Sequence, residues 1–150
     1  MSKKRASDYE RMIVNRFWDH GFAVMRAPSS SGTSKMPRPD VLAGSAEKGM
    51  MFAIEIKTCR QNVFYVQKEQ IEGLMEFAER IGALPYLAVK FVGKRMDFKF
   101  LSVPNSLVKS KGDSFRVSLS DVVETGEDFL TLINPQNTKV KSNKKIIDGV

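Results

Sequence analysis

The chain has 150 residues, of which 42% are hydrophobic and 27% charged, the proportions of an ordinary globular domain. Collagen-like, disulfide-scaffold and wholly disordered classes are excluded, and the uncharged apolar runs Met50–Ile54 and Leu84–Val89 fall far short of the roughly 20 residues of a membrane span. No apolar run follows the basic Met1–Arg5, and the lone Cys59 and lone His20 can build neither an internal disulfide nor a zinc site, so a cytoplasmic protein is expected. The net charge of +7, from 24 basic and 17 acidic residues, points to a polyanionic partner, nucleic acid first. The competing reading is a chain kept soluble by positive charge. Because the basic residues sit beside the acidic ones in the first 60 positions, a site is favoured over a merely adhesive surface.

Residues 1–6 read as a flexible basic arm. Ser7 and Glu10 then form an S-x-x-E capping box that opens a helix with Ile13, Val14, Phe17 and Trp18 at helical spacing and Gly21 at its end. Phe22–Arg26 alternates as a strand does. Pro28 to Pro39 is loop material, holding four Ser, one Thr, one Gly, three Pro and two basic residues. Asp40–Ala43 and Met50–Thr58 read as two further strands around a turn at Gly44–Gly49, the second apolar enough to lie centrally in a sheet. Cys59–Tyr65 reads as a connection. A helix follows from about Gln67 to Ile81, with Ile71, Leu74, Met75, Ala78 and Ile81 as its core stripe and Gly82 as its stop. Tyr86–Val92 and Met96–Val103 read as an antiparallel strand pair, and Val117–Val123 and Phe129–Ile133 as short elements. Asn137–Lys145, with four Lys, reads as part of a basic tail. The order gives an α/β fold with a central mixed sheet of about five strands flanked by helices.

One constellation carries chemistry. Asp40 follows Pro39 at the start of one strand, while Glu55 and Lys57 lie two residues apart near the end of the next, and i, i+2 neighbours in a strand share a face. If the two strands form a hairpin, Asp40 reaches that face as well. Two carboxylates and an ammonium in an apolar sheet are costly to bury without partners. The residue types suit metal-assisted phosphodiester hydrolysis, with Asp and Glu oxygens as hard ligands for Mg²⁺ (Mn²⁺ able to substitute) and a lysine that orients or helps deprotonate water. A Glu55–Lys57 salt bridge on an exposed strand is the other reading. The Pro39-Asp40 pair, with 14 residues between it and Glu55 and a Ser- and Lys-containing loop before it, weighs against it.

The pattern Pro39-Asp40 … Glu55-Ile56-Lys57 resembles the PD-(D/E)xK nuclease superfamily. More closely, the chain resembles the archaeal-type Holliday junction resolvases, which some viruses and phages also carry. The likeness covers residues 5 to about 103. It rests on Tyr9-Glu10-Arg11, the run Gly21 to Pro28, the Ser/Gly/Lys loop, Pro39-Asp40, Ile54-Glu55-Ile56-Lys57, and Tyr65-Val66 followed by Glu76-Phe77-Ala78. It implies a restriction-endonuclease-like fold with the nuclease core at 7–103; beyond it, where the likeness ends, the chain is expected to complete one domain with an extension of the fold at 104–134 and a flexible basic tail at 135–150. It implies Glu10, Asp40 and Glu55 as metal carboxylates, Lys57 as the catalytic lysine and a loop serine, best matched by Ser30 although Ser29, Ser31 and Ser34 compete. Arg11 and Arg26 would contact phosphates, and Gln67 takes the place of a glutamine common in the superfamily.

Each role has a plainer rival. Glu10 satisfies the start of a helix if the capping box holds, and Arg11 and Arg26 are ordinary solvated charges if no DNA binds. Lys35, Arg38, Arg60 and Lys68 read as phosphate-steering. Phe77 lies off the helical core stripe, beside Gly73, with Ile81 one turn on; these three mark either a wide core face or a homodimer contact, and two symmetric cuts in a four-way junction would call for a two-fold dimer. Trp18 and Phe22 are assigned to the core, Cys59 and His20 to structural roles. The expected function is a Mg²⁺-dependent, structure-selective endonuclease that resolves four-way junctions, with branched DNA as partner. The alternatives are a restriction-like or repair endonuclease on other DNA, and a non-catalytic DNA-binding module.

Overall fold

An 18-residue amphipathic helix, α1 (Ser2–Asp19), opens the chain, whose computed structural model describes residues 2–28 and 36–136. Ile13 and Phe17 are fully buried one turn apart, with Tyr9 and Val14 packed beside them. The helix stops in a Schellman arrangement: Phe22 N–H donates to the Phe17 carbonyl (3.0 Å) and Gly21 N–H to that of Trp18 (3.1 Å). Gly21 takes φ 89 there, a left-handed value a side chain resists.

The chain continues through β1 (Ala23–Arg26), β2 (Val41–Ser45), β3 (Met50–Cys59), β4 (Val63–Gln67), α2 (Lys68–Ile81), β5 (Leu84–Phe91) and β6 (Lys99–Ser102). There follow β7 (Val108–Lys109), β8 (Ser114–Ser118), α3 (Leu119–Thr125) and α4 (Phe129–Leu132). Five strands form the main sheet in the order β1-β2-β3-β5-β6, with β3 and β5 parallel and every other pair antiparallel. A parallel neighbour needs a crossover, which the β4–α2 segment supplies. β3 and β5 read as nearly continuous apolar runs because they are covered on both faces. Ile13, Phe17, Phe22, Phe52, Tyr86 and Phe129 close the core under α1 and α4; Ala53, Ile71, Leu74, Ala78, Leu87, Val89 and Val117 close the one under α2.

The mixed sheet agrees with the expected architecture, while five local expectations are corrected. Residues 2–6 are the first turns of α1, not an arm: nothing in Ser-Lys-Lys-Arg-Ala breaks a helix, and Lys, Arg and Ala favour one. Ser7 and Glu10 therefore sit inside the helix and cap nothing. Trp18 is 67% exposed instead of buried, since Ile13 and Phe17 already fill the inward stripe. The segment Cys59–Tyr65 is not a plain connection, because β4 begins within it and pairs with β8 in a second, three-stranded sheet ordered β4-β8-β7. Val117–Val123 spans a junction: β8 ends at Ser118, whose hydroxyl caps α3 by accepting from Asp121 N–H (3.2 Å). The expected basic tail from Asn137 onward lies outside the described residues.

Candidate active site

The β2–β3 register pairs Val41 with Ile54, so one step further puts Asp40 opposite Glu55. Leu42 and Ala53, on the same face as these two acids, belong to the core beneath α2, whereas Val41 and Ile54 face α1. Asp40 is fixed from both sides. Its carbonyl accepts from Ala27 N–H (2.9 Å), and its Oδ2 accepts from Ile56 N–H (2.8 Å). Pro39, which is buried and has no N–H of its own, sets the entry into the strand.

Asp40 and Glu55 stand side by side across the hairpin although both are acids. Burial above all, then the negative charge of Asp40 and hydrogen bonding to its carboxyl, push the Glu55 carboxyl up from 4.5 to about 8. Lys57 pulls it back in part, and Glu10 adds a smaller push upward. Lys57, two residues along the same face, donates from Nζ to Oε1 of Gln70 in the first turn of α2 (3.3 Å). Asp40, Glu55 and Lys57 thus lie on one face of the sheet. Gln70 was not singled out from the sequence; the signal for it is its place one turn into the helix that crosses over the Glu55–Lys57 strand.

Glu10 takes a different position. Arg26 pairs in register with Val41 and so faces α1, where its Nε donates to Oε2 of Glu10 (2.7 Å) and its Nη2 to the hydroxyl of Ser7 (3.0 Å). Glu10 and Arg26 thus lie on the α1 side of the sheet, with Glu10 close enough for its charge to act on Glu55. Among the described residues no group of three or more His, Cys, Asp or Glu side chains gathers closely enough to hold a metal ion.

An open groove of about 810 Å³ runs beside the site between α2 and the segment preceding β2, lined among others by Arg38, Glu55, Glu69, Gln70, Gly73 and Glu76. Gly73 has a reason inside the chain: a Cβ there would stand 2.9 Å from Cβ of Pro37, so the glycine lets this segment lie against α2. Phe77 is half-buried against the core under α2, and Ile81 is exposed. Arg11 pairs with Asp8 on the exposed side of α1 (2.9 Å). Arg60 is exposed in the β3–β4 turn, Lys68 pairs with Glu72 (3.7 Å), and Gln67 occupies the N-cap of α2 without a side-chain capping bond. Ser30 and Lys35 lie outside the described residues.

The donor set fits a divalent cation. Asp40 and Glu55 are hard oxygen donors whose proximity is unfavourable once both ionise, and a cation between them removes that penalty. The groove beside them is rich in carboxylates, so a DNA phosphate needs added positive charge to approach.

A family model described as archaeal Holliday junction resolvase matches residues 1–140. A protein of Sulfurisphaera tokodaii named crossover junction endodeoxyribonuclease Hjc is 35% identical over 140 residues, which is 93% of this chain and 92% of that one. A protein of the same name from Methanocaldococcus jannaschii is 38% identical over 93 residues, 62% of this chain and 64% of that one. Among solved structures, Archaeoglobus fulgidus Hjc, a Holliday junction resolvase, superposes with a TM-score of 0.75 at 27% identity over 85% of this chain and 99% of that one.

Proposed function

This chain belongs to the archaeal Holliday junction resolvase family, and we propose that its Asp40–Glu55–Lys57 site is where it cuts the phosphodiester backbone of four-way DNA junctions as a crossover junction endodeoxyribonuclease. The observation that carries the site assignment is the facing pair of acids, Asp40 and Glu55, with Lys57 on the same strand face. Asp40 and Glu55 would hold the divalent cation, Mg²⁺ first and Mn²⁺ as a substitute. When bound, the cation polarises the scissile phosphate and acidifies water. The Ile56 N–H holds Asp40 in place, so that carboxylate is positioned before substrate arrives. Gln70 holds the Lys57 ammonium over the same face, where it orients the attacking water and offsets charge building on the phosphoryl oxygens. Arg26, aimed by Glu10 and Ser7, and Arg38 on the groove contact flanking phosphates. Both contacts of Arg26 fall on Oε2 of Glu10, so Oε1 would be the oxygen that reaches the cation.

The active form is a homodimer. In support, the part of the main sheet beyond α2 carries apolar side chains on its α2-side face, Met25 (71% exposed) beside Leu42, with Phe77 and Ile81 on α2. A second copy on this face would bring two sites into two-fold relation, as paired cuts require. A DNA substrate places the work in the cytoplasm.

The test is nicking of a synthetic four-way junction against linear duplex. Mg²⁺-dependent cutting of the junction alone, lost in Asp40→Asn and Glu55→Gln while junction binding persists, is the expected result. Full activity in either variant rejects the site. Equal cutting of both substrates makes the chain a general or repair nuclease, and binding without cutting makes it a DNA-binding module.

A further inference from the structure

The outward face of the small β4-β8-β7 sheet has no part in the chemistry described above, yet its composition is unusual for a solvated surface. The register places Tyr65 directly across from Arg116, and Arg116 across from Val108. All three point outward: Tyr65 is 56% exposed, the Arg116 side chain 45% and Val108 45%. The alternate residues Phe64, Val66, Phe115 and Val117 turn inward and anchor the sheet on the core under α2. The result is a fixed row of phenol, guanidinium and branched alkyl group, with Gln67 next to Tyr65 on the same strand face.

Arg116 is directed by Asp121, 3.6 Å away, which is itself held by the Ser118 hydroxyl (2.7 Å). The acids near the row are Asp121 and, at the start of β8, Asp113, whose carbonyl accepts from Lys68 N–H. Lys68, next to Gln67 at the start of α2, adds exposed positive charge shared with Glu72. An exposed ring set beside cations on a rigid sheet is the pattern on which unpaired bases stack while their phosphates meet the charges. The row is also close to the catalytic groups. Two strand steps lead from Tyr65 to Gln67, and one helical turn separates Gln67 from Gln70, which holds Lys57. That path is roughly 12 Å, about the length of three to four base steps along one strand.

We propose that the Tyr65–Arg116 face is a nucleotide platform, on which a base next to the branch point, relieved of one stacking neighbour, rests against Tyr65 while its phosphate meets Arg116. The inference rests on the junction-cutting reading and adds a shape-sensing contact to it. Intact duplex offers no unstacked base and gains nothing from the ring. The platform thus contributes to the preference for junctions over linear DNA.

The experiment uses four-way junctions carrying 2-aminopurine at successive positions within four nucleotides of the branch, with the full-length protein and its Tyr65→Thr, Tyr65→Phe and Arg116→Gln variants. Thermal melting controls for folding, and Thr keeps the strand preference of the exposed position. For Tyr65→Thr, about tenfold weaker junction binding is expected, with duplex binding and the cleavage rate at saturation unchanged. The 2-aminopurine emission change seen with the natural protein should disappear in Tyr65→Thr and persist in Tyr65→Phe. Arg116→Gln should lower the slope of log affinity against log salt by about one. Wild-type junction affinity in Tyr65→Thr, or equal losses on junction and duplex, overturns the platform. If the natural protein itself neither binds nor cuts four-way DNA, the functional reading fails, a result that differs from either of these.

Discussion

Glu55 stands across the β2–β3 hairpin from Asp40, half-buried beside that second carboxylate, an arrangement unfavourable to two ionised groups. In the metal-free protein the pair therefore keeps one proton at neutral pH, with Glu55 raised to about 8. A divalent cation must displace that proton. Binding of Mg²⁺ is expected to release about one proton per site at pH 7, and affinity should climb steeply from pH 6 to about 8 and then level off. Calorimetric titration in buffers of different ionisation enthalpy measures the proton directly. An affinity independent of pH over this range would mean that the cation binds elsewhere.

The same shift governs stability without metal. The folded chain holds the Glu55 proton up to about pH 8, whereas the unfolded chain releases it near the ordinary value of 4.5. Between these limits the folded state binds more protons, so stability falls as pH rises through the window. Glu55→Gln removes the charge and keeps the shape. It should melt higher than the natural protein at pH 8 in EDTA, by on the order of 1–3 kcal/mol, and match it near pH 5. The variant should also be catalytically dead. Equal melting at pH 8 would show that the site already neutralises Glu55 by other means.

The Glu10–Arg26 pair separates two roles for one carboxylate. With Arg26 35% and Glu10 26% exposed at the side chain, the contact is expected to stabilise the fold by no more than about 1 kcal/mol. Arg26→Ala should then leave melting nearly unchanged while slowing junction cutting at least about tenfold, the loss of one phosphate contact. Glu10→Gln retains an acceptor for Arg26. Residual cutting in Glu10→Gln identifies Glu10 as a positioning residue for Arg26, whereas abolished cutting with intact junction binding identifies it as a metal ligand. Cleavage rates at saturating Mg²⁺ decide between them.

The legible parts of the chain were those where period and chemistry coincide. The alternation through Ile54-Glu55-Ile56-Lys57 announced both a buried strand and a polar pair on one face, and the Gln67–Ile81 stripe announced α2. Glu10 was legible as an acid near the site but not as a partner of Arg26, because helix-to-strand pairing across the sheet depends on register. The capping-box reading of Ser7 and Glu10 failed for a related reason: the motif is local, and the helix that continues through it from Ser2 is set by the helix-forming residues upstream. Trp18 shows the limit of reading apolarity as burial, since a large ring beside a filled stripe stays outside. The second sheet escaped notice because β4 and β8 are each five residues long and nearly 50 positions apart. Gly73 drew attention as a close-approach residue; its neighbour proved to be Pro37 of the same chain.

Subunit pairing gives the last prediction. Met25 lies on the edge strand of the main sheet, on the face away from α1, and Ile81 lies at the end of α2; both are exposed, so a charge at either has little to disturb within one subunit. Met25→Glu combined with Ile81→Glu should therefore leave melting close to that of the natural protein measured at concentrations where it is monomeric. If the face joins two copies, each substitution occurs twice across the two-fold axis, and four buried carboxylates would shift the equilibrium to monomer. Sedimentation reads that shift. Cleavage reads its consequence: on a supercoiled plasmid bearing a cruciform, paired cuts within one binding event give linear DNA, while a monomer cuts one strand and leaves a nicked circle. A change from linear to nicked product, with Asp40, Glu55 and Lys57 untouched, would show that pairing acts on the coordination of the cuts and not on the chemistry. Dimers that survive both charges would move the interface to another surface.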